Sequence, residues 1–197
     1  RKSSHVFTIT NFVKDELLEK YGFLKGKITT TYCASEPPLT VPAEQPDGVV
    51  NNDKFLLAVG TAFPHKNLQA IVDAHKILVK SHPELKLYFA GKKEYYYALL
   101  DTYIEQNTNT SAVKTLGFVS DPALKWLYEH CQVYVFASLS EGFGLPPLEA
   151  MAHGAPVTSS NASCMPEVLG DAAHYFDPHS PADMAEKIDE VLTNPSL

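Results

Sequence analysis

Two carboxylates and two glycines stand close together in Ser140-Glu141-Gly142-Phe143-Gly144-Leu145-Pro146-Pro147-Leu148-Glu149, with seven residues between Glu141 and Glu149. An apolar, strand-like run from Val133 to Ala137 precedes this stretch, and a helix-compatible segment follows it. The glycines therefore fall in a strand-to-helix turn, where an open α/β sheet places its ligand. Gly142 and Gly144 let the backbone come close to that ligand, and the free N–H groups of the next helix start favour an anion. Pro146 and Pro147 have no N–H, which leaves the amides from about Gly142 to Leu145, and those after Pro147, as donors. An acid beside a phosphate site is electrostatically wasteful, so both glutamates are read as acceptors from hydroxyl groups. Phosphate and polyhydroxyl together are the chemistry of a nucleotide sugar.

The Glu141-to-Glu149 spacing resembles the Glu-x(7)-Glu signature of retaining glycosyltransferases of the GT-B fold. The run from Met151 through Val157, and on from Ser159 to Ala173, resembles the family-4 glycosyltransferases. This resemblance implies that Glu149 binds the ribose hydroxyls of the donor, that Glu141 accepts from a hydroxyl of the donor sugar, and that amides around Phe143, Gly144 and Leu145 meet sugar and phosphate. Taken singly, Glu141 reads as a solvent-facing loop acid and Glu149 as an exposed helix residue.

Gly60-Thr61-Ala62-Phe63-Pro64-His65-Lys66-Asn67 lacks the second glycine and the Lys-Ser/Thr pair of a Walker A loop. It resembles instead the family's loop in which a basic residue reaches the donor diphosphate, with Lys66 in that place and Gly60 and Thr61 beside it. Many members carry an arginine where Thr61 stands. Alone, Lys66 reads as an exposed lysine near a helix start, an end that disfavours cations. Gly91 and Gly117-Phe118-Val119 follow two further strands at the same sheet edge, and the resemblance places the base near Phe118 and Val119. Lys92 and Lys93 read equally well as solvated loop lysines. His65 and His153 are not read as catalysts; His153, before Gly154, is a helix-terminal charge or a packed ring. No nucleophile-base pair and no metal-ligand spacing is evident.

The elements that must position these groups alternate along the chain. A strand at 6–10, a helix capped by Asn11 and ending at Gly22, and a strand at 27–32 make one unit, which resembles the end of the GT-B amino-terminal domain. Residues 34–53, with four prolines, read as an interdomain linker or surface loop. From residue 54 to 197, six strand patterns alternate with helical stripes, one of them formed by Tyr96, Leu99, Leu100, Tyr103 and Ile104. Asp121 reads as a helix cap with Pro122 at the first helical position, and Ser180-Pro181 reads as the start of the last helix. The expected fold is a doubly wound parallel α/β sheet, Rossmann-like, with a partial strand-helix-strand remnant at residues 1–33. By resemblance, 54–197 is the donor-binding carboxy-terminal domain of a GT-B enzyme, truncated at its end, since the family's chain usually continues past 195–197 into further helices.

Composition narrows the function classes. The 197 residues are 45% hydrophobic and 20% charged, values of a globular chain. A net charge of -7 argues against general affinity for nucleic acid, so a phosphate must be held by local groups. Three cysteines without a C-x-x-C pair suit a reduced, cytoplasmic interior, and no apolar run approaches the ~18 residues of a membrane span. The missing initiator Met suits a piece of a longer chain.

What the resemblance implies for activity is transfer of a hexosyl group, with retention, from a GDP- or UDP-linked sugar to an acceptor hydroxyl on a glycan or lipid-linked glycan. It implies no metal and no other cofactor. The likeness of Pro64-His65-Lys66-Asn67 to bacterial mannosyltransferases tilts the donor toward GDP-mannose. Acceptor contacts would come from the domain missing here, at the inner membrane face if its regions lead there, so this piece would bind donor without turning it over. The alternative is a non-catalytic nucleotide-sugar binding module or subunit.

Overall fold

The computed structural model describes residues 3–194. Arg1, Lys2 and residues 195–197, on which the limits of the chain were read, lie outside the described residues. Six strands, β3 (Phe55–Val59), β4 (Lys86–Ala90), β5 (Val113–Gly117), β6 (Val133–Phe136), β7 (Val157–Ser160) and β8 (His174–Phe176), form one sheet in the order β5-β4-β3-β6-β7-β8. Every pairing in it is parallel. The connecting helices are α2 (Leu68–Leu78), α3 (Tyr95–Asn107), α4 (Asp121–His130), α5 (Leu145–Ala152) and α6 (Met165–Leu169), and α7 (Pro181–Thr193) follows β8. This is the expected doubly wound sheet. Its strand order reverses between β3 and β6.

Along β3 the pleat sends Leu56 and Ala58 to one face and Phe55 and Leu57 to the other. Helices α2, α3 and α7 cover the first face through Ile71, Leu100, Met184 and Ile188. Helices α4, α5 and α6 cover the second through Leu127, Ala150 and Met165. Because both faces are covered, the central strands β3, β4 and β6 read as nearly unbroken apolar runs, whereas β5 and β7 carry polar residues as well.

A smaller parallel pair, β1 (Val6–Thr8) and β2 (Ile28–Thr30), flanks α1 (Asn11–Lys20). From there to β3 the chain has no strand or helix, yet it is fastened along α4. The Leu39 N–H donates to His153 Nε2 at 3.0 Å, Lys125 Nζ donates to the Leu39 and Val41 carbonyls at 2.9 and 3.0 Å, and Val49 is buried in the core.

Three local expectations are corrected. The cap of α1 is Thr10, whose hydroxyl accepts from the Val13 N–H at 3.2 Å, because the Asn11 side chain is engaged with Thr30 and Tyr32. The cap of α4 is Ser120, one residue before Asp121. Helix α3 buries Tyr97, Leu100 and Ile104 and leaves Tyr96 and Leu99 exposed. Three successive tyrosines allow several helical phases, and Tyr97 is the one whose hydroxyl reaches a partner, the Gly60 carbonyl at 2.8 Å.

Candidate active site

The crevice lies where the strand order reverses. After β3 the chain turns away through Gly60 and a short 3-10 turn, Pro64–Lys66, and after β6 it turns the opposite way through residues 137–144. The Leu139 N–H donates to the His65 carbonyl at 2.7 Å, which ties the two loops across the crevice. Beside that tie, Lys66 Nζ stands 2.6 Å from Glu141 Oε1, and the two side chains are 19% and 14% exposed. The Phe136 ring lies 5.3 Å from the ammonium, close enough for a cation–π contact. The lysine and the first glutamate singled out in the sequence are thus direct partners.

Turning to the glycine stretch, Gly144 takes φ 92° and caps α5. A Cβ there would lie 2.8 Å from Met165 Cε and Sδ, and Met165 is fully buried, so a larger residue must both adopt this left-handed backbone and displace the end of the Met165 side chain. Leu145 opens the helix and two prolines follow, so Leu145 and Leu148 carry the N–H groups of the first turn. The turn is braced from behind by the β7–α6 loop. Ser163, itself left-handed at φ 53°, accepts the Glu141 N–H on its hydroxyl at 3.1 Å, and the Cys164 thiol donates to the Glu141 carbonyl at 3.2 Å. Burial pushes the Cys164 thiol up to about 11, so it stays a donor. The Phe143 side chain is buried, which leaves its backbone as the part that faces the turn.

Glu149 is half-buried one turn into α5, and the Tyr128 hydroxyl lies 3.4 Å from its Oε2. Burial first, and the neighbouring Glu149 charge second, raise Tyr128, so its hydroxyl keeps its proton. His153 closes the other side of this helix. Its Nε2 must accept from the Leu39 N–H, so its Nδ1 carries the proton and donates to the Glu149 carbonyl at 2.8 Å. The ring stacks on Tyr128 with centroids 5.4 Å apart. Of the two readings of His153, the packed ring is the one found.

Gly60 and Gly91 end β3 and β4 at the same edge, and both amides are used within the sheet, donating to the Ala90 and Gly117 carbonyls at 2.9 Å. A Cβ on Gly91 would fall 2.0 Å from the Gly60 carbonyl oxygen, so this glycine permits a close backbone approach. Thr61 is exposed beside them. Phe118, 80% exposed, and half-buried Val119 follow β5, two strands out from Lys66, in a cleft shared with Glu44, Pro46 and Leu116. The fold therefore sets Lys66 against Glu141 beside the 142–145 turn, carries Glu149 one turn into the helix that follows, and sets Phe118 and Val119 further along the edge.

Sequence reasoning did not find Phe136, Tyr128 or Ser163. For Ser163 a signal existed, its place just after a strand at the ligand edge. Phe136 and Tyr128 read as core residues and are core residues that also touch the site.

Residues 43–197 match the family described as glycosyl transferases, group 1. An O-antigen chain mannosyltransferase B of Escherichia coli is 30% identical over 182 residues, covering 88% of this chain and 48% of that protein. An O-antigen chain mannosyltransferase, RfbU, of Salmonella typhimurium is 30% identical over 178 residues, covering 90% and 48%. Among solved structures, a glycosyltransferase from Rickettsia africae superposes with a TM-score of 0.80 at 20% identity, over 98% of this chain and 54% of that one. The chain spans about half the length of these two curated relatives. No helix among the described residues is long and apolar enough to cross a membrane.

Proposed function

The chain belongs to the group 1 glycosyl transferases, and from that premise we propose that it forms the donor-binding part of a configuration-retaining hexosyltransferase. The donor is a nucleotide diphosphate sugar, and the acceptor is a hydroxyl of a glycan bound by segments outside this chain. The names of the two O-antigen mannosyltransferase relatives favour a mannosyl group, and GDP-mannose is the donor we assign. The reaction belongs in the cytoplasm, where nucleotide sugars are made available to such enzymes.

The observation that carries this reading is the Lys66–Glu141 pair at the strand-order reversal, 2.6 Å apart and next to the start of α5. An ammonium and a helix start with free amides are together suited to a diphosphate. When the diphosphate enters, it competes with Glu141 for Lys66. The released carboxylate then has acceptor capacity for a sugar hydroxyl, and Glu149 offers the same to the ribose. As the glycosidic bond to the leaving diphosphate breaks, negative charge grows on its oxygens, and Lys66, the amides and the α5 dipole stabilise it without moving.

The test is calorimetric titration of this chain with GDP, UDP and ADP, and of a Glu149→Ala variant. Saturable binding of GDP that weakens roughly ten- to hundred-fold in the variant is expected, the equivalent of about 1.5–3 kcal/mol for a hydrogen bond to a charged group. Binding that is unaffected by the loss of Glu149 would remove the ribose assignment.

A further inference from the structure

Glu167 lies outside the crevice on α6, and among the described residues its carboxylate is bonded by groups of the amino-terminal unit. Oε1 accepts the Asn11 N–H at 2.7 Å and the Tyr32 hydroxyl at 2.8 Å, and Oε2 accepts the Phe12 N–H at 2.9 Å. Asn11 and Phe12 begin α1, so an acid from the large domain occupies the positive end of a helix in the amino-terminal unit. Desolvation raises this exposed carboxylate, and the hydrogen bonds from the Asn11 and Phe12 N–H groups and from Tyr32 outweigh it and hold Glu167 below the usual carboxylate range.

A second contact joins the same helix start to the crevice. The Thr10 hydroxyl, which caps α1, donates to the Gly142 carbonyl at 3.0 Å. Ile9 packs there too, since a Cβ on Gly142 would meet Ile9 Cδ1 at 3.3 Å. Gly142 directly follows Glu141. One helix terminus is therefore pinned to α6 by Glu167 and to the glycine turn by Thr10.

From this geometry we infer that Glu167 is a positioning residue: by capping α1 it seats the amino-terminal unit on the Glu141–Gly144 turn and so fixes where Glu141 stands. The inference rests on the reading of Glu141 as a donor-sugar contact. Glu167 and Thr10 bond only to protein groups here, and each acts through the turn. The consequence is a coupling in both directions. Donor that orders the turn steadies α1, and a shift of α1 alters donor affinity.

The experiment combines amide hydrogen exchange with titration of GDP-mannose on the chain and on Glu167→Ala, Glu167→Gln and Thr10→Ala. Asp171→Ala, an exposed acid on the next turn of chain, serves as the control. Exchange at Asn11 and Phe12 is expected to quicken about ten-fold or more in Glu167→Ala. Peptides over residues 139–146 should quicken with it, and GDP-mannose should bind several-fold more weakly. Glu167→Gln, which keeps one acceptor, should fall between, Thr10→Ala should loosen the same turn, and the control should match the parent. Faster exchange in α1 with an unchanged 139–146 peptide overturns the inference, as does unchanged exchange in α1. Exchange needs no donor, so failure of GDP-mannose to bind the parent chain counts against the donor reading and leaves the exchange result to decide the coupling.

Discussion

Lys66 and Glu141 are 75 residues apart in sequence and 2.6 Å apart in space, joined across the gap between β3 and β6. In this state each neutralises the other, so the site holds one cation whose charge is already in use. Glu141→Gln keeps the shape and removes that competition. GDP without sugar is expected to bind the variant several-fold more tightly, while for GDP-mannose the same gain at the diphosphate is offset by the lost contact to its sugar. Parallel calorimetry of both ligands checks this, and equal gains for the two would remove Glu141 from the sugar site. Lys66→Met should weaken both ligands roughly ten-fold or more.

Gly144→Ala introduces a Cβ at φ 92° and drives it against fully buried Met165. Strain and overpacking together predict a loss of about 2–4 kcal/mol, read by urea denaturation. Gly142→Ala is the contrast. Its Cβ meets Ile9 Cδ1 at 3.3 Å, and Ile9 is 40% exposed and has room to shift. The cost there should be under 1 kcal/mol.

Tyr128→Phe keeps the packing of a fully buried ring and deletes the hydroxyl facing Glu149. At 3.4 Å that bond is long, so the expected effect on donor affinity is small, about two- to five-fold. Thermal stability should change by less than the affinity does, in free-energy terms. A large loss of stability with unchanged affinity would make Tyr128 a purely structural neighbour of Glu149.

Glu190 on α7 accepts from Lys187 Nζ at 2.7 Å and also from His174 Nε2 of β8. Lys187 chiefly, and His174 next, hold its carboxylate below the usual range. A depressed carboxylate contributes stability above its unfolded value of about 4.3, and the contribution is lost as pH falls through the folded value. Melting temperatures of the chain should therefore drop between pH 5 and pH 3 more steeply than those of Glu190→Gln. Parallel curves for the two would show that the α7 contact carries no pH-dependent stability.

Much of the fold was legible because the central strands β3, β4 and β6 carry apolar runs and helices such as α2 and α7 an apolar period, and because proline and glycine mark the turn before α5. The site was legible in its parts and not in its pairing. That Lys66 meets Glu141 depends on β3 lying beside β6, a strand order that nothing local encodes. The partner of Glu167 was hidden for the same reason, since its acceptor role is set by a helix that starts 156 residues earlier. The face of α3 failed differently. Tyr95, Tyr96 and Tyr97 are chemically alike, so only the carbonyl waiting at Gly60 distinguishes the buried one.

The segment between β2 and Leu39 is short and contains Pro37 and Pro38, and Leu39 is anchored to His153 and Lys125. Eight residues, 31–38, reach at most about 28 Å. The amino-terminal unit is therefore a tethered ligand of the large domain, held at an effective concentration in the range of millimolar for short linkers. Contacts too weak to hold two separate molecules together are sufficient on such a leash.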